Sequence, residues 1–287
     1  MSIDNQNIFE RISNEYYSLT ASEKKVADFA LANMSVTQYM SISELASACN
    51  VAEATVSRFS RRLGYKGYNT FKLAVSRASI QQKPAGNPLS GEITPEDSIQ
   101  DMAHKLYSAE VEAIAQTMNL IDPETVVQAA ALLEQARQVL CMGQGGSMLI
   151  ANEAAHLFST VSNKFRTVGD SHLQAMAATM MDSEDVVIFF SYSGSTRAMM
   201  ETIKLVHQRG GKVILVTRFP KSPGAEVSDV VLQCGANESP LQTGSVSARI
   251  AQMYLLDVLF SEFSRKNLAR CRACRARIAD ALADKHL

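Results

Sequence analysis

Val186-Val-Ile-Phe-Phe-Ser-Tyr-Ser-Gly-Ser-Thr196 is an apolar run that ends abruptly in small hydroxyl residues and one glycine. The pattern predicts a buried parallel strand that delivers a hydroxyl-rich loop to the start of a helix. Ser195 and Thr196 are favourable N-cap residues, and Gly210-Gly211 is a stop signal for the helix that follows. Backbone N–H groups at such a helix start attract an anion, and hydroxyls add donors without bulk. The stretch therefore predicts a phosphate site, although a capped strand-helix junction without a ligand has the same pattern.

Strands alternate with helices throughout residues 120–264, which is typical of a doubly wound α/β domain with a parallel sheet. The predicted strands are residues 138–142, 165–168, 186–190, 212–217 and 230–234. Ligands of this fold class lie at the carboxyl ends of strands, where the winding of the sheet reverses. Loops 143–147 and 191–196 both follow strands, so we expect a ligand to bind between them.

The first of these loops, Gly143-Gln-Gly145-Gly-Ser147, invites a dinucleotide-binding interpretation. The fingerprint G-x-G-x-x-G fails because Met148 occupies its sixth position. An acidic residue at the tip of the second strand is also hard to place. We therefore predict no nicotinamide or flavin cofactor.

Composition restricts the class of protein. At 287 residues the chain is long enough for about two domains, and 46% hydrophobic with 20% charged residues is ordinary for a soluble globular protein. A net charge of -1 means that any nucleic-acid surface is local. Because we find neither a run of about 18 apolar residues nor a signal peptide, we expect no membrane association and a cytoplasmic location.

The five cysteines form no even disulfide framework. Cys271-Arg-Ala-Cys274 has zinc-like spacing, but no second pair and no partnering histidines lie nearby in the sequence. One half-site is insufficient for zinc, so no metal is predicted.

The N-terminal part shows the pattern of a helical domain. Amphipathic segments at 8–17 and 24–34 and a short helix at 41–49 precede the turn Asn50-Val51 and a further helix from Glu53 to Leu63. Its predicted buried stripe consists of Val56, Phe59 and Leu63. Its opposite side carries short polar residues and cations, namely Thr55, Ser57, Arg58, Arg61 and Arg62. This helix-turn-helix pattern supplies what a helix in the DNA major groove needs, although a solvated face of a small bundle would look similar.

A dense similarity to RpiR-type bacterial transcription regulators covers Ser41-Ile-Ser-Glu-Leu-Ala-x-x-Cys-Asn-Val-Ala-Glu-Ala-Thr-Val-Ser-Arg-Phe-Ser-Arg-Arg-Leu-Gly64-Tyr-Lys-Gly67-Tyr-x-x-Phe71-Lys72. The resemblance implies that the partner is double-stranded operator DNA. It implies that base edges are contacted by Glu53, Ala54, Thr55, Ser57 and Arg58. It also implies that DNA phosphates are held by Arg61, Arg62 and Lys66.

Residues 126–263 resemble the SIS, or sugar isomerase, domain. The resemblance rests on residues 185–196, the strand at 211–217, and Glu238 followed by residues 245–252. It implies that a phosphosugar is bound by Gly145, Ser147, Ser191, Ser193, Gly194, Ser195, Thr196, Glu238, Ser245 and Ser247. The expected effector is a phosphorylated sugar or sugar acid, because a phosphate dianion accepts many hydrogen bonds and a hydroxyl-rich site supplies them.

The expected organisation is a helix-turn-helix domain at 1–77, a linker at 78–95, a connecting helix at 96–121, the SIS domain at 122–264 and a basic helical tail at 265–287. Two prolines and a glycine without apolar periodicity indicate the linker. The family resemblance also implies a homodimer or homotetramer.

The predicted function is transcriptional regulation of carbohydrate metabolism in response to a phosphorylated sugar, without enzyme activity. The ligand is expected to reorient the connecting helix and so change the separation of paired recognition helices. One alternative is an SIS-type phosphosugar isomerase, because Glu238 occupies the place of its catalytic carboxylate and His172 is a possible companion. Another is a binding module whose helical domain contacts protein rather than DNA.

Overall fold

The computed structural model describes residues 8–82, 93–236 and 245–283. These residues divide into two units. The first contains the described residues up to Lys105, and the second contains residues 106–236 and 245–283. Each unit has a hydrophobic core of its own.

The described part of the first unit is helical. Its helices are α1 (Ile8–Glu15), α2 (Ala21–Ala32), α3 (Met34–Thr37), α4 (Ile42–Ala48), α5 (Glu53–Arg62) and α6 (Tyr68–Gln82). A capping box starts α2, where Thr20 and Glu23 each accept a hydrogen bond from the other's backbone N–H. Ser41 and Glu44 start α4 in the same way. These reciprocal bonds satisfy donors that a helix start leaves unpaired, so both boundaries are set locally.

The predicted helix-turn-helix consists of α4, a turn at Asn50 and α5. Asn50 has φ 51°, a left-handed conformation that Asn adopts more readily than most residues. Val56, Phe59 and Leu63 are at most 1% exposed, which confirms the predicted buried stripe. Phe59 also packs edge-on against Phe71 of α6, with 5.4 Å between the ring centroids. The opposite side of α5 is thereby left facing solvent.

The helix α7 (Ile99–Leu120) begins three residues later than the predicted connecting helix at 96–121. The reason is a cap, because Ser98 Oγ accepts from the N–H of Asp101 at 3.1 Å and Asp101 Oδ2 accepts from the N–H of Ser98 at 3.1 Å. Upstream, α6 continues to Gln82, five residues into the predicted linker at 78–95. Residues 83–92 of that linker lie outside the described residues.

The second unit has the predicted doubly wound α/β fold. Its strands are β1 (Gln138–Gly143), β2 (Phe165–Val168), β3 (Asp185–Phe190), β4 (Lys212–Thr217) and β5 (Val230–Gln233). All pairings are parallel and the order is β2-β1-β3-β4-β5, so the winding reverses between β1 and β3. One core lies against α8 (Pro123–Gln135), α9 (Gly146–Ser159) and α13 (Val246–Lys266). The other lies against α10 (Ser171–Thr179), α11 (Arg197–Gln208) and α12 (Pro223–Val227).

The basic tail contains the helix α14 (Leu268–Ala283). Cys271 is buried, and the guanidinium of Arg270 donates to both carboxylate oxygens of Glu134 at 2.9 Å each. Within the described residues, no group of three or more His, Cys, Asp or Glu could hold a metal ion. No helix in the described part of the chain is long and apolar enough to cross a membrane.

Candidate functional site

The loops that follow β1 and β3 lie side by side at the point where the sheet reverses its winding. Gly143 at the end of β1 pairs with Phe190 at the end of β3, so the next residues of both strands leave the same edge of the sheet. We call residues 191–196 the serine loop and residues 143–147 the glycine loop. Each loop leads into the N-terminus of a helix, α11 and α9 respectively. The structure thus brings together the two loops that the sequence predicts to flank the ligand.

The serine loop is a tight turn centred on Gly194. The N–H of Gly194 donates to the backbone oxygen and to the hydroxyl of Ser191, both at 3.2 Å. Its carbonyl accepts from the N–H of Gly224 at 2.8 Å. Gly194 has φ 57°, and a Cβ there would lie 2.0 Å from Ser222 Oγ. Only glycine fits this position without strain or collision.

The hydroxyls of the serine loop have two different roles. Ser191 is buried, and its hydroxyl holds the turn. Ser193 and Ser195 are exposed, and Thr196 is half-buried at the N-cap of α11 without making a side-chain cap hydrogen bond. The positive end of the helix dipole and the first-turn N–H groups of α11 therefore point to a surface with several hydroxyl donors. An anion such as phosphate is stabilised in such surroundings.

The glycine loop approaches the same edge with little side-chain bulk. Gly145 is exposed at the N-cap of α9 with φ 54°, and no atom lies within 4 Å of a Cβ built there. Ser147 is half-buried in the first turn of α9. Gly143 is closely packed, because a Cβ on it would lie 2.6 Å from the backbone oxygen of Ser147. The loop leaves room for a ligand beside Gly145.

Gln174 of α10 fixes the glycine loop and was not predicted from the sequence. Its side chain is fully buried, and its Nε2 donates to the carbonyls of Gly143 at 3.0 Å and Val168 at 2.9 Å. It thus ties the ends of β1 and β2 to α10. An isolated amide on a helix rich in Met and Ala is the signal that could have indicated it, since buried polar groups are usually hydrogen-bonded.

The other predicted ligand residues, and His172 of the isomerase alternative, lie outside the two loops. Ser245 is the N-cap of α13, and its hydroxyl accepts from the N–H of Ala248 at 3.1 Å. Ser247 is half-buried in the first turn of α13. His172 is exposed in the first turn of α10, where Asp170 caps its N–H at 2.9 Å. Glu238 lies outside the described residues.

The exposed side of α5 carries most of the residues predicted to contact DNA. The exposed ones are Glu53, Ala54, Arg58, Arg61, Arg62 and Lys66, the last of these just beyond the helix, and Ser57 is half-buried. The helix has only one acidic residue, at its positive N-terminal end, and two cations in its last turn. This charge distribution suits a helix that meets a polyanion.

Thr55 departs from the prediction because it is only 5% exposed. It lies one residue before Val56 and four before Phe59, so the buried sector of α5 is wider than the predicted stripe. Its Oγ1 also accepts a hydrogen bond from Arg58 Nη2 at 3.2 Å. The prediction of an exposed Thr55 is wrong.

Arg62 is attached to its own domain. Its Nη1 donates to the carbonyl of Ser18 at 2.7 Å, and its Nε lies 3.4 Å from Glu23 Oε1. Burial raises the pKa of Glu23, but hydrogen bonds from Thr20 and the charges of Arg62 and Arg58 outweigh it and lower the pKa. Arg62 therefore joins the end of α5 to the start of α2.

Comparison with known proteins agrees with both halves of this description. The model of the rpiR-family helix-turn-helix domain matches residues 6–83, and that of the SIS domain matches residues 132–262. An uncharacterized HTH-type transcriptional regulator of Haemophilus influenzae is 33% identical over 256 residues, which is 89% of each chain. The HTH-type transcriptional regulator RpiR of Escherichia coli is 27% identical over 250 residues, 87% of this chain and 83% of the relative.

Solved structures extend the comparison to the fold. The NanR protein of Vibrio vulnificus complexed with ManNAc-6P has a TM-score of 0.84 and 25% identity, covering 98% of this chain and 99% of its own. The sugar isomerase domain of an RpiR transcription factor from Sphaerobacter thermophilus has a TM-score of 0.58 at 18% identity, covering 63% of this chain and 99% of its own, and shows the fold of the second unit. These matches confirm the predicted fold class and a regulator rather than an enzyme. The chain belongs to the RpiR family of HTH-type transcriptional regulators, with an SIS domain after its helix-turn-helix domain.

Proposed function

We propose that this regulator controls carbohydrate metabolism by binding a phosphorylated sugar in its SIS domain and operator DNA through α5. The observation that carries the proposal is the serine loop, where two exposed serines and an N-cap threonine without a cap bond meet the N-terminus of α11. Similarity to NanR, whose structure contains ManNAc-6P, supports a phosphosugar as the ligand class. A sugar acid phosphate has the same anchoring group.

The proposed anchor is the phosphate. Ser193, Ser195 and Thr196 donate hydroxyl hydrogen bonds to its oxygens, together with the first-turn N–H groups of α11. On the opposite side of the site, Ser147 supplies a further hydroxyl, and the absence of a side chain at Gly145 leaves room for the ligand. Of the other residues implied by the resemblance, Ser191 and Gly194 hold the turn of the serine loop, and Glu238, Ser245 and Ser247 would contact the sugar or lie close by. Because no fixed side-chain cation is among these groups, the ligand can be released, as a sensor requires.

The proposed DNA contacts follow from the exposed side of α5. Glu53, Ala54, Ser57 and Arg58 face base edges, while Arg61 and Lys66 hold phosphates. In a homodimer or homotetramer, paired recognition helices meet half-sites about one helical turn apart or a multiple of it. Ligand binding that alters their separation changes the affinity for DNA.

A thermal-shift screen of the full chain against N-acetylmannosamine 6-phosphate, hexose 6-phosphates, amino sugar phosphates and sugar acid phosphates tests this function. A ligand at 100 times its dissociation constant adds about 2.7 kcal/mol to the free energy of unfolding. In the double variant Ser193→Ala, Thr196→Ala we expect the shift to disappear, because each lost donor to a charged group costs roughly 1.5–3 kcal/mol. DNA binding by the ligand-free protein is expected to survive.

The matched control is Ser159→Ala with Thr179→Ala, which removes one exposed serine and one exposed threonine hydroxyl elsewhere in the same unit. These hydroxyls donate only to carbonyls of their own helices. If both double variants lose the shift equally, or if no phosphorylated sugar stabilises the wild-type chain, the serine loop is not a phosphosugar site.

A further inference from the structure

A two-residue segment after β5 connects the serine loop with α7. We call this segment, Gly235-Ala236, the Ala236 strap. Both of its residues are held by side chains from elsewhere in the second unit. The strap lies near the carboxyl ends of β3 and β4, where the serine loop begins.

At one end of the strap, the Ala236 carbonyl accepts hydrogen bonds from the serine loop and from Arg218, which follows β4. Tyr192 lies between two predicted ligand serines, and its hydroxyl donates to the carbonyl of Ala236 at 3.1 Å. Arg218 Nε donates to the same carbonyl at 3.2 Å. The ring of Tyr192 packs edge-on against Phe219, with 5.6 Å between centroids, and its own carbonyl accepts from Arg218 N–H at 3.1 Å. A displacement of the serine loop therefore acts on the Ala236 carbonyl.

At the other end, the strap is bound by α7. The N–H of Ala236 donates to Gln116 Oε1 at 3.2 Å, and the N–H of Gly235 donates to Thr117 Oγ1 at 2.9 Å. Thr117 is fully buried. The two backbones are in close contact, because a Cβ on Gly235 would lie 2.6 Å from both Gln116 Cβ and Thr117 N. The strap is thus packed directly on the helix.

The strap is also held in an unfavourable backbone conformation. Ala236 has φ 76° and is 2% exposed. A residue other than glycine in this region persists only where surrounding contacts hold it, and such positions occur at switch regions. The contacts that hold Ala236 come from Tyr192 of the serine loop and from Arg218 on one side, and from α7 on the other. Loss of either set lets the strap relax.

We propose that the Ala236 strap couples phosphosugar binding in the serine loop to α7, with Tyr192 as the coupling residue. The proposal rests on the phosphosugar function proposed above and specifies how the occupied site is communicated. We expect the signal to pass to α7 because a boundary between the two units falls within this helix, between Lys105 and Leu106. The chain therefore runs through α7 between the SIS domain and the helix-turn-helix domain. Binding alters the hydrogen bond from Tyr192 to the Ala236 carbonyl. The shift of the strap then alters its hydrogen bonds to Gln116 and Thr117.

The test is hydrogen-deuterium exchange on the full chain, wild type and Tyr192→Phe, with and without each phosphorylated probe of the thermal-shift panel at millimolar concentration. The substitution removes one hydroxyl and keeps the ring against Phe219. In the wild type we expect a binding probe to change exchange in both the serine loop and residues 106–120. In Tyr192→Phe we expect the serine loop to respond as before and the response of residues 106–120 to be smaller than in the wild type, because only Arg218 then still donates to the Ala236 carbonyl.

Two further variants separate coupling from general damage. Gln116→Ala removes one of the two hydrogen bonds that join the strap to α7, so we expect it to reduce the response of residues 106–120 as Tyr192→Phe does. Tyr107→Phe removes an exposed hydroxyl from α7 itself, and Gln128→Ala removes an exposed amide from α8, so both are expected to respond as the wild type does.

The possible outcomes are distinguishable. If no probe changes exchange in the wild-type serine loop, the proposed function fails and the coupling role fails with it. If the serine loop responds but residues 106–120 respond equally in wild type and Tyr192→Phe, or in neither, the coupling role alone is refuted.

Discussion

The two adjacent arginines at the end of α5 are predicted to differ in what they do. Arg61 has no hydrogen bond or ion pair to the described residues, whereas Arg62 is bound to Ser18 and Glu23. We therefore expect Arg61→Ala to weaken DNA binding without changing stability, and Arg62→Ala to destabilise the helix-turn-helix domain. Sequence position alone does not separate them.

The magnitudes follow from the contacts. Arg62→Ala removes a charge-assisted hydrogen bond to the Ser18 carbonyl, which is worth about 1.5 kcal/mol, the low end of the range for charged groups, because the bond is exposed. It also removes the ion pair with Glu23. Because the Arg62 side chain is 41% exposed, solvent screening limits the contribution of this pair to stability to roughly 0–1 kcal/mol. Glu23 keeps its hydrogen bonds to Thr20. A local loss of about 2 kcal/mol makes amide exchange in α2 and α5 roughly 30-fold faster.

The assays are hydrogen exchange on the full chain and a salt titration of binding to a duplex selected from a random library. Arg61→Ala is expected to reduce the slope of log affinity against log salt by about 0.9, the value for one lost phosphate contact. Its exchange in α2 and α5 is expected to stay at the wild-type rate. The reasoning is refuted if Arg62→Ala lowers the slope equally and leaves exchange unchanged.

Two further predictions concern the second unit. In Gly194→Ala, a left-handed alanine destabilises the fold by about 1–2 kcal/mol, and the collision of its Cβ with Ser222 adds about 1–3 kcal/mol. We therefore expect a lower unfolding temperature and loss of phosphosugar binding. The control is Gly169→Ala, which must match the wild type because no atom lies within 4 Å of a Cβ at that position. Burial raises the pKa of Asp185, but hydrogen bonds from Arg137 and a backbone N–H outweigh it and lower the pKa. This stabilisation is therefore present above the unfolded pKa of about 3.9 and is lost as pH falls through the lower folded value. Asp185→Asn is expected to flatten the acid side of the stability profile, and an unchanged profile would contradict the assignment.

Local patterns were sufficient to predict the elements that form the site. The apolar run of β3 and the hydroxyls after it occupy adjacent positions in the sequence, and their burial and exposure follow that order. The paired loops at the reversal point also follow from the alternation of strands and helices, because a parallel sheet places successive strand ends at one edge. The buried stripe of α5 followed from helical spacing in the same way.

Contacts between distant residues could not be predicted. Arg62 binds Ser18, 44 positions away, and Gln174 binds Gly143, 31 positions away. Nothing in helical periodicity distinguishes such an anchored arginine or amide from a solvated one. The burial of Thr55 depends similarly on how closely the neighbouring helices cover α5. These interactions are set by tertiary packing, which a pattern of three or four residues does not encode.

The most direct measurement is the dissociation constant for the selected DNA duplex with and without a phosphorylated sugar that the thermal-shift screen identifies, at fixed salt. We expect saturation of the SIS domain to change that constant by roughly 5- to 150-fold, the range of typical allosteric coupling. The change is expected to disappear in Ser193→Ala, Thr196→Ala, which still binds DNA. An unchanged dissociation constant at full ligand occupancy would contradict the conclusion that the SIS domain is the sensor for the helix-turn-helix domain.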